Sequence, residues 1–269
     1  MANFRPMSQR ILIFDSGLGG LSVARAVINR LPDAQTLYAA DNDGFPYGDW
    51  SKDALVERIV EVLGRLIAES VPNVVVIACN TASTLALETV RQRFALPFVG
   101  TVPAIKPAAE LSESGIIGVL ATPGTVDRDY TQALVDTFAS HRTVVLHGCK
   151  QLADMAERCL RGEHLTDEEL AAEIAPVFVE QGGRRTDAVV LGCTHYPLIA
   201  ERIAAVAPWP VRLIDPSEAI ARQVARVAEG KAAPPHTPDG ATAFLTKPST
   251  DFAEVLAREG FARNQLLAL

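Results

Sequence analysis

The sequence has few of the features of a secreted, membrane-spanning or nucleic-acid-binding protein. It has four cysteines among 269 residues and no Cys-x-x-Cys pair, so we expect reduced thiols and a cytoplasmic protein. The first apolar run, residues 11–14, is too short for a signal-peptide core, and no stretch approaches the length of a membrane span. The net charge of −7 argues against a nucleic-acid partner or an anionic membrane surface.

Cofactor and metal motifs are also missing. The glycine-rich turn DSGLGG at residues 15–20 follows an apolar run, but Ser22 stands where the dinucleotide-binding pattern Gly-x-Gly-x-x-Gly needs its third glycine. The sequence has no Walker Gly-Lys-Ser/Thr segment. Cys79 has no neighbouring metal ligand, and Cys193-x-His195 alone is a weak metal signal. We therefore predict neither a cofactor nor a metal.

The sequence does contain a regular alternation of strand and helix patterns, which predicts an α/β fold. The clearest buried strands are predicted near residues 10–14, 36–39, 73–78, 115–121 and 188–191. One of the helices is predicted over residues 167–181. Because about ten strands would make a large single sheet, we predict two similar lobes, each a mostly parallel sheet flanked by helices.

Two cysteines follow buried strands in similar settings. Cys79 ends the aliphatic run at residues 74–77, and Cys193 follows the run at residues 189–191. Ligands of α/β sheets bind at the carboxyl ends of the strands, so both thiols are predicted at functional positions. A helix beginning just after each cysteine would favour thiolate formation.

A pair of thiols such as Cys79 and Cys193 suits only some classes of reaction. Cys149 and Cys159 lack this setting and are interpreted as structural. A Cys-His-Asn hydrolase needs only one nucleophile, and a dithiol oxidoreductase usually carries Cys-x-x-Cys. Inversion of a stereocentre needs a base on one face and an acid on the other, and two thiols on opposite walls of a cleft suit that task.

Several segments resemble the landmarks of glutamate racemases, in the aspartate/glutamate racemase superfamily, and they occur in that family's order. They are FDSGLGGLSV at residues 14–23, FPYG at 45–48, ACNTAS at 78–83, VPAIKP at 102–107, LGCTHYPL at 191–198 and DPSEA at 215–219. Together they span nearly the whole chain.

This resemblance implies a cofactor-independent isomerase that interconverts L- and D-glutamate by two-base proton transfer. Its D-glutamate would supply peptidoglycan synthesis, and hence cell-wall biogenesis and cell shape. The resemblance also implies two α/β lobes with the active site in the cleft between them. Residues 1–101 plus 212–269 would form the first lobe, with Asp15 and Cys79, and residues 102–211 the second, with Cys193 and His195.

Carried over residue by residue, the resemblance makes Cys79 the base toward D-glutamate and Cys193 the base toward L-glutamate. Asp15 and His195 would assist proton transfer at Cys79 and Cys193, respectively. The residues that would hold the carboxylates and amine of the substrate are Asp15, Ser16, Tyr47, Gly48, Asn80, Thr81, Thr194 and His195.

Two positions depart from the family's pattern. Glu157 follows Cys149 by eight residues, where the family carries an acidic residue of the second lobe, but Lys150 replaces the usual proline. Glu157 is therefore either a further catalytic residue or part of a solvated helix face. Gly44 stands where the family often has arginine before Phe-Pro-Tyr-Gly, which puts local contacts or assembly in question rather than the chemistry.

The implied partners follow from the same resemblance. They are L- or D-glutamate as the small-molecule substrate, a second copy of the chain in a homodimer, and a cell-wall precursor as an allosteric ligand, with no nucleic acid and no membrane. Three alternatives stay open: an aspartate or hydantoin racemase of the same superfamily, a dithiol redox protein, and a catalytically silent binding protein on the same scaffold.

Overall fold

The computed structural model describes residues 9–127, 129–231 and 241–269. The chain divides into two compact units. The first is formed by Met1–Thr101 with Ser217–Leu269, and the second by Val102–Pro216. No helix in the described ranges is long and apolar enough to cross a membrane.

The strands are numbered along the chain. They are β1 (Arg10–Asp15), β2 (Gln35–Ala40), β3 (Val74–Ile77), β4 (Phe98–Gly100), β5 (Ile116–Ala121), β6 (Thr143–Gly148), β7 (Glu180–Gln181), β8 (Arg184–Arg185), β9 (Ala188–Leu191), β10 (Arg212–Ile214), β11 (Thr242–Leu245) and β12 (Arg263–Leu266).

The α-helices are numbered in the same way. They are α1 (Leu21–Arg30), α2 (Lys52–Ser70), α3 (Asn80–Arg93), α4 (Ile105–Leu111), α5 (Pro123–Val126), α6 (Asp129–Phe138), α7 (Leu152–Leu160), α8 (Asp167–Ile174), α9 (Ala200–Val206), α10 (Ser217–Ala228) and α11 (Thr250–Arg258). Short 3₁₀ helices cover Tyr47–Asp49, Ala175–Val177 and Tyr196–Ile199.

The first unit is built on a six-stranded sheet in the order β12-β11-β2-β1-β3-β4. All of its strand pairs are parallel. The central strands β1 and β3 are buried along their whole length, as expected for strands covered on both faces. In α2, Leu55, Ile59, Leu63 and Leu66 recur every three or four residues, so one face of the helix packs into the core.

The second unit is built on a four-stranded parallel sheet in the order β10-β9-β5-β6. Consecutive residues of its central strands pack into two different hydrophobic clusters. Leu120 and Val189 belong to one cluster, and Val119 and Val190 belong to the other. The sheet is therefore covered on both faces. A small antiparallel hairpin joins β7 to β8 through Gly182-Gly183, whose positive φ angles of 59° and 72° suit a tight two-residue turn.

The predicted fold class is confirmed: the chain forms mostly parallel sheets flanked by helices. Two details of the prediction differ from the structure. The helix predicted over residues 167–181 ends at Ile174, and a 3₁₀ turn containing Pro176 and the hairpin strand β7 follow it. Residues 212–216, assigned from the sequence to the first lobe, fall in the second unit because β10 pairs with β9.

One turn of the second unit depends on the partly buried carboxylate of Asp187, just before β9. Its oxygens accept hydrogen bonds from Ser112 Oγ at 2.6 Å and from the backbone N–H groups of Glu113 and Ser114 at 2.7 Å each. Burial pushes the pKa of Asp187 up, but these hydrogen bonds outweigh burial and the pKa lies below its usual value. The carboxylate thus fixes the end of α4 to the start of β9.

We expect Asp187→Ala to lower the free energy of unfolding by about 1–3 kcal/mol at neutral pH, because three donors lose a charged acceptor. Since the pKa of Asp187 is lower in the folded state, this difference is complete at neutral pH and shrinks below about pH 4. Urea titrations at several pH values measure it. Asp136→Ala, which removes an exposed carboxylate of α6 that accepts from Gln132, is the control and changes stability by less than ~0.5 kcal/mol. An equal loss in the two variants would contradict the account.

Candidate active site

In both sheets the predicted site residues follow the strands at which the strand order reverses. In the first unit, β1 pairs with β2 on one side and with β3 on the other. In the second unit, β5 pairs with β6 on one side and with β9 on the other. The crevices at the carboxyl ends of β1/β3 and of β5/β9 are therefore topological switch points, where α/β sheets bind ligands.

Cys79 occupies the switch point of the first unit. It directly precedes α3 and is the N-cap residue of that helix, and its backbone oxygen accepts from Ser83 N at 2.8 Å. The Cys79 side chain is 7% exposed, and Ser16 Oγ donates to its Sγ at 3.8 Å. The N-terminus of α3 favours negative charge at this position, so the helix and the hydroxyl both support a thiolate.

Asp15 ends β1 at the same edge and is fully buried. Its Oδ1 accepts from the backbone N–H of Gly17 at 3.0 Å, which closes the predicted glycine-rich turn. Tyr38 of β2 stabilises this turn, because its hydroxyl group donates a hydrogen bond to Gly17 O at 2.7 Å. The turn therefore places Ser16 beside Cys79.

Tyr47 is held by a buried carboxylate that the sequence analysis missed. Tyr47 Oη donates to Asp41 Oδ2 at 2.6 Å, and Thr246 Oγ1 donates to Asp41 Oδ1 at 2.7 Å. Arg58 of α2 binds both oxygens of Asp41 at 2.7 Å. Burial, followed by the negative charge of Asp41 and then that of Cys79, raises the pKa of Tyr47 well above its usual value. Tyr47 therefore stays a neutral hydrogen-bond donor.

Gly44, the position that departs from the family's pattern, lies against this carboxylate. A Cβ atom on Gly44 would stand 2.5 Å from Arg58 Nε and 2.7 Å from Asp41 Oδ2. Glycine is thus the residue that leaves room for the Arg58–Asp41 pair. Gly48 differs, because it is exposed and open space surrounds the place of its Cβ.

The structure places most of the predicted residues of the first unit together. Asp15 ends β1, Ser16 follows it and Cys79 follows β3. Asn80 and Thr81 form the buried first turn of α3. Tyr47 belongs to the same group, since the charge of Cys79 contributes to its raised pKa. A buried set of donors around one thiol suits the binding of a carboxylate.

Cys193 occupies the switch point of the second unit and is the first member of a buried relay. Its Sγ lies 3.6 Å from His195 Nδ1, and His195 Nε2 lies 2.9 Å from Glu157 Oε1. Their exposed fractions are 7% for Cys193 and 2% each for His195 and Glu157. Arg161 approaches the other oxygen of Glu157 at 3.5 Å. Because an ionised carboxylate only accepts hydrogen bonds, the hydrogen on Nε2 belongs to His195.

The relay favours a charged imidazole. Burial pushes the pKa of His195 down, but the hydrogen bonds to Cys193 and Glu157 and the charges of both groups outweigh burial. The pKa of His195 is therefore raised well above its usual value. A charged His195 can donate to a Cys193 thiolate through Nδ1, so this histidine can orient the thiol and stabilise its anion.

Glu157 is thus not part of a solvated helix face. It lies in α7, whose other buried residues are Leu152, Met155 and Ala156, and it faces the interior of the second unit. Lys150, which replaces the family's proline, precedes α7 and is exposed. The residue change at 150 therefore leaves the Glu157–His195 contact intact.

The local backbone after Cys193 differs from the expectation. The N–H of Tyr196 bonds to Cys193 O at 3.1 Å, and a 3₁₀ helix begins at Tyr196 rather than an α-helix at residue 194. Thr194 lies in this turn and is buried. The helix start predicted after each cysteine is therefore confirmed at Cys79 and wrong at Cys193, where His195 supplies the positive charge instead.

The two remaining thiols, Cys149 and Cys159, differ in burial and in their contacts. Cys149, after β6, is 2% exposed, and burial followed by the charge of Glu173 raises its pKa to about 12. Cys159 is partly buried, and Arg202 Nη1 approaches its Sγ at 3.3 Å. All four cysteines of the chain are free thiols.

Three residues of these clusters were missed by the sequence analysis. Asp41 follows β2 directly, so its place at a strand end was a usable signal. Tyr196 is fully buried, and its pKa is raised well above its usual value by burial and by the charges of Cys193 and Cys149. Its position next to His195 was the only indication. Arg58 gave no local signal, because it is one of several charged residues on α2.

Comparisons of sequence and of structure with known proteins all give similarity to one family of racemases. The family model for Asp/Glu/hydantoin racemases matches residues 22–224. A glutamate racemase of Brucella anthropi is 51% identical over 255 residues, covering 93% of this chain and 91% of that protein, and one of Brucella ovis is 49% identical over 254 residues, covering 93% and 91%. The crystal structure of Escherichia coli glutamate racemase, in complex with L-glutamate and the activator UDP-MurNAc-Ala, has a TM-score of 0.91 at 40% identity and covers 97% of this chain and 98% of its own.

We expect Glu157→Gln to lower the pKa of His195, because the variant loses the negative charge that favours imidazolium. The amide still accepts the hydrogen bond from Nε2, so packing is preserved. NMR titration of the imidazole, assigned with His195→Gln, measures the shift. Glu163→Gln is the matched control, since Glu163 is exposed and bonds Arg161 rather than His195. An unchanged His195 pKa in Glu157→Gln would contradict the relay.

Proposed function

This chain belongs to the Asp/Glu/hydantoin racemase family, and we propose that it interconverts L-glutamate and D-glutamate with Cys79 and Cys193 as the two proton-transfer groups and without a cofactor. The observation that carries the proposal is that each unit presents a buried thiol at the switch point of its sheet. Each thiol has its own hydrogen-bonding partner.

The chemistry explains why two thiols are needed. The α-proton of an amino acid is very weakly acidic, so the transition state is a carbanion-like species whose charge spreads into the α-carboxylate. Inversion requires that one group removes the proton and that another delivers a proton to the opposite face. We assign thiolate Cys79 as the base toward D-glutamate and thiolate Cys193 as the base toward L-glutamate, with the other cysteine acting as the thiol acid each time.

The neighbours of each thiol support these roles in different ways. Asp15 would assist proton transfer at Cys79 and help to hold the substrate. At Cys193, a charged His195 stabilises the thiolate through Nδ1, and Glu157 keeps the ring charged and oriented through Nε2. When Cys193 takes the α-proton its negative charge disappears, and the remaining His195–Glu157 pair is still balanced in charge.

Substrate binding is assigned to the polar groups around the two thiols. Backbone and hydroxyl donors at Ser16, Asn80, Thr81 and Thr194 suit the carboxylates and would stabilise the charge that develops on the α-carboxylate. Tyr47, kept neutral by burial and by Asp41, is a further donor. Gly48 and His195 complete the proposed binding residues.

Glutamate is favoured over the other substrates of the family. The proteins at 49–51% identity and the Escherichia coli structure with L-glutamate at 40% identity are all glutamate racemases. Such similarity over more than nine-tenths of the chain supports the same substrate. Aspartate and hydantoin racemisation remain the alternatives of the same class, and a dithiol redox protein is the alternative of a different class.

The biological setting is part of the proposal. D-Glutamate made by this chain would supply peptidoglycan synthesis in the cytoplasm, where four free thiols remain reduced. We also propose a homodimer. The activator in the Escherichia coli structure is UDP-MurNAc-Ala, and by similarity we propose a cell-wall precursor of this kind as an allosteric ligand of this chain.

The test incubates L-glutamate with purified protein without cofactor, with and without UDP-MurNAc-Ala, and follows circular dichroism. We expect the wild-type chain to lose the optical signal, and Cys79→Ala and Cys193→Ala each to lower racemisation roughly 10²–10⁴-fold. Racemisation is the readout for the variants, since a single remaining thiol could still exchange a proton at one face.

Cys159→Ala is the matched control, a partly buried thiol outside both clusters, and it should keep the wild-type rate. A full rate in either Cys79→Ala or Cys193→Ala would exclude the two-thiol mechanism. If the wild-type protein racemises neither glutamate nor aspartate nor hydantoins, the racemase proposal is wrong, and the redox or binding alternatives are favoured.

A further inference from the structure

A second cluster of reactive side chains lies in the second unit at the end of β6. His147 and Cys149 come from this strand end, and Glu173 comes from α8. One ring nitrogen, the Cys149 Sγ and one carboxylate oxygen all lie within 4.8 Å of one another. We propose that these three residues bind a divalent cation of the zinc class.

The ligand side chains are held in place by hydrogen bonds. His147 Nε2 lies 3.0 Å from the backbone oxygen of Glu173, and because a carbonyl only accepts, Nε2 is the donor. Nδ1 then carries the lone pair. Metal-binding histidines commonly donate their other ring N–H to such an acceptor. The Glu173 Oε1 atom accepts from the backbone N–H of Gln151 at 2.8 Å, which fixes the carboxylate near the strand end.

The burial of the cluster fits a bound ion with one open position. Cys149 is 2% exposed, whereas His147 and Glu173 are half-buried. The thiol therefore lies on the inner side of the cluster, and the imidazole and carboxylate lie nearer to solvent. Three protein ligands and one water would complete a tetrahedral shell.

The donor set selects the class of ion. Metal binding would release the Cys149 proton to solvent. The resulting thiolate and an imidazole suit zinc and similar borderline metals, whereas magnesium and calcium prefer oxygen ligands throughout. The carboxylate of Glu173 is compatible with zinc at the usual bond length. The cluster is therefore assigned to zinc-class ions, with cobalt(II) as a spectroscopic substitute.

The position of the cluster connects it with Cys193. The Cys149 N–H bonds to Ala121 O, and the Gly192 N–H bonds to Leu120 O, so both cysteines follow strands that flank β5 at the same sheet edge. The pKa of the buried Tyr196 phenol is raised by burial and by the charges of both Cys193 and Cys149. The cation cluster and Cys193 therefore lie at the same edge of the sheet of the second unit.

The test uses the full-length chain with Cys79, Cys159 and Cys193 replaced by serine, so that Cys149 is the only thiol. Anaerobic titration with cobalt(II) should produce a sulfur-to-cobalt charge-transfer band that saturates at one equivalent and is removed by zinc. In this background, His147→Gln and Glu173→Gln should each weaken cobalt binding about 10-fold or more. Glu173→Gln keeps an acceptor for the Gln151 N–H, which protects the fold.

Matched controls are His141→Gln and Glu168→Gln, which change an exposed histidine of the same unit and an exposed glutamate of α8. Both should bind cobalt as the parent does. As a second measurement, stoichiometric zinc should raise the Tm of the parent and not that of Glu173→Gln, which checks binding without relying on the band. Absence of the band at stoichiometric cobalt, or cobalt binding by the His147→Gln and Glu173→Gln variants as tight as that of the parent, would overturn the proposal.

Discussion

Parallel strand pairing is the constraint on which both candidate clusters depend. In a parallel sheet the carboxyl ends of neighbouring strands share one edge, and a reversal of strand order leaves a crevice there. The β1–β3 and β5–β9 pairs create such crevices, and Cys79 and Cys193 each follow the second strand of the pair after one intervening residue. The aliphatic residues that stabilise each sheet therefore also fix the positions of the two candidate thiols.

The two thiols share this placement but not their chemical support. Cys79 has a helix N-terminus and a neutral hydroxyl from Ser16, whereas Cys193 has the buried His195–Glu157 pair. The backbone explains the difference, since a 3₁₀ turn rather than an α-helix follows Cys193. A racemase needs each thiol to act as acid and as base, and two unlike environments can both serve this purpose.

The fold class and both cysteine positions were predictable because long aliphatic runs and the residues after them are local signals. Glu157 was only half-predictable: its spacing from Cys149 was visible, but the 2.9 Å contact with His195 joins residues 38 positions apart. Arg58 and Glu173 likewise act across tertiary contacts. The helix predicted to residue 181 failed because Pro176 and the Gly182-Gly183 turn end the pattern, and the boundary at 212 failed because strand pairing determines it.

The central claim is that different groups remove and deliver the α-proton. The most direct test follows D-glutamate in D₂O with the wild-type protein and analyses both enantiomers at the first few per cent of conversion. The account predicts that the L-glutamate formed carries deuterium at the α-carbon, while the remaining D-glutamate still carries protium. L-Glutamate that retains the substrate's own protium would show that a single group serves both faces, and would contradict the account.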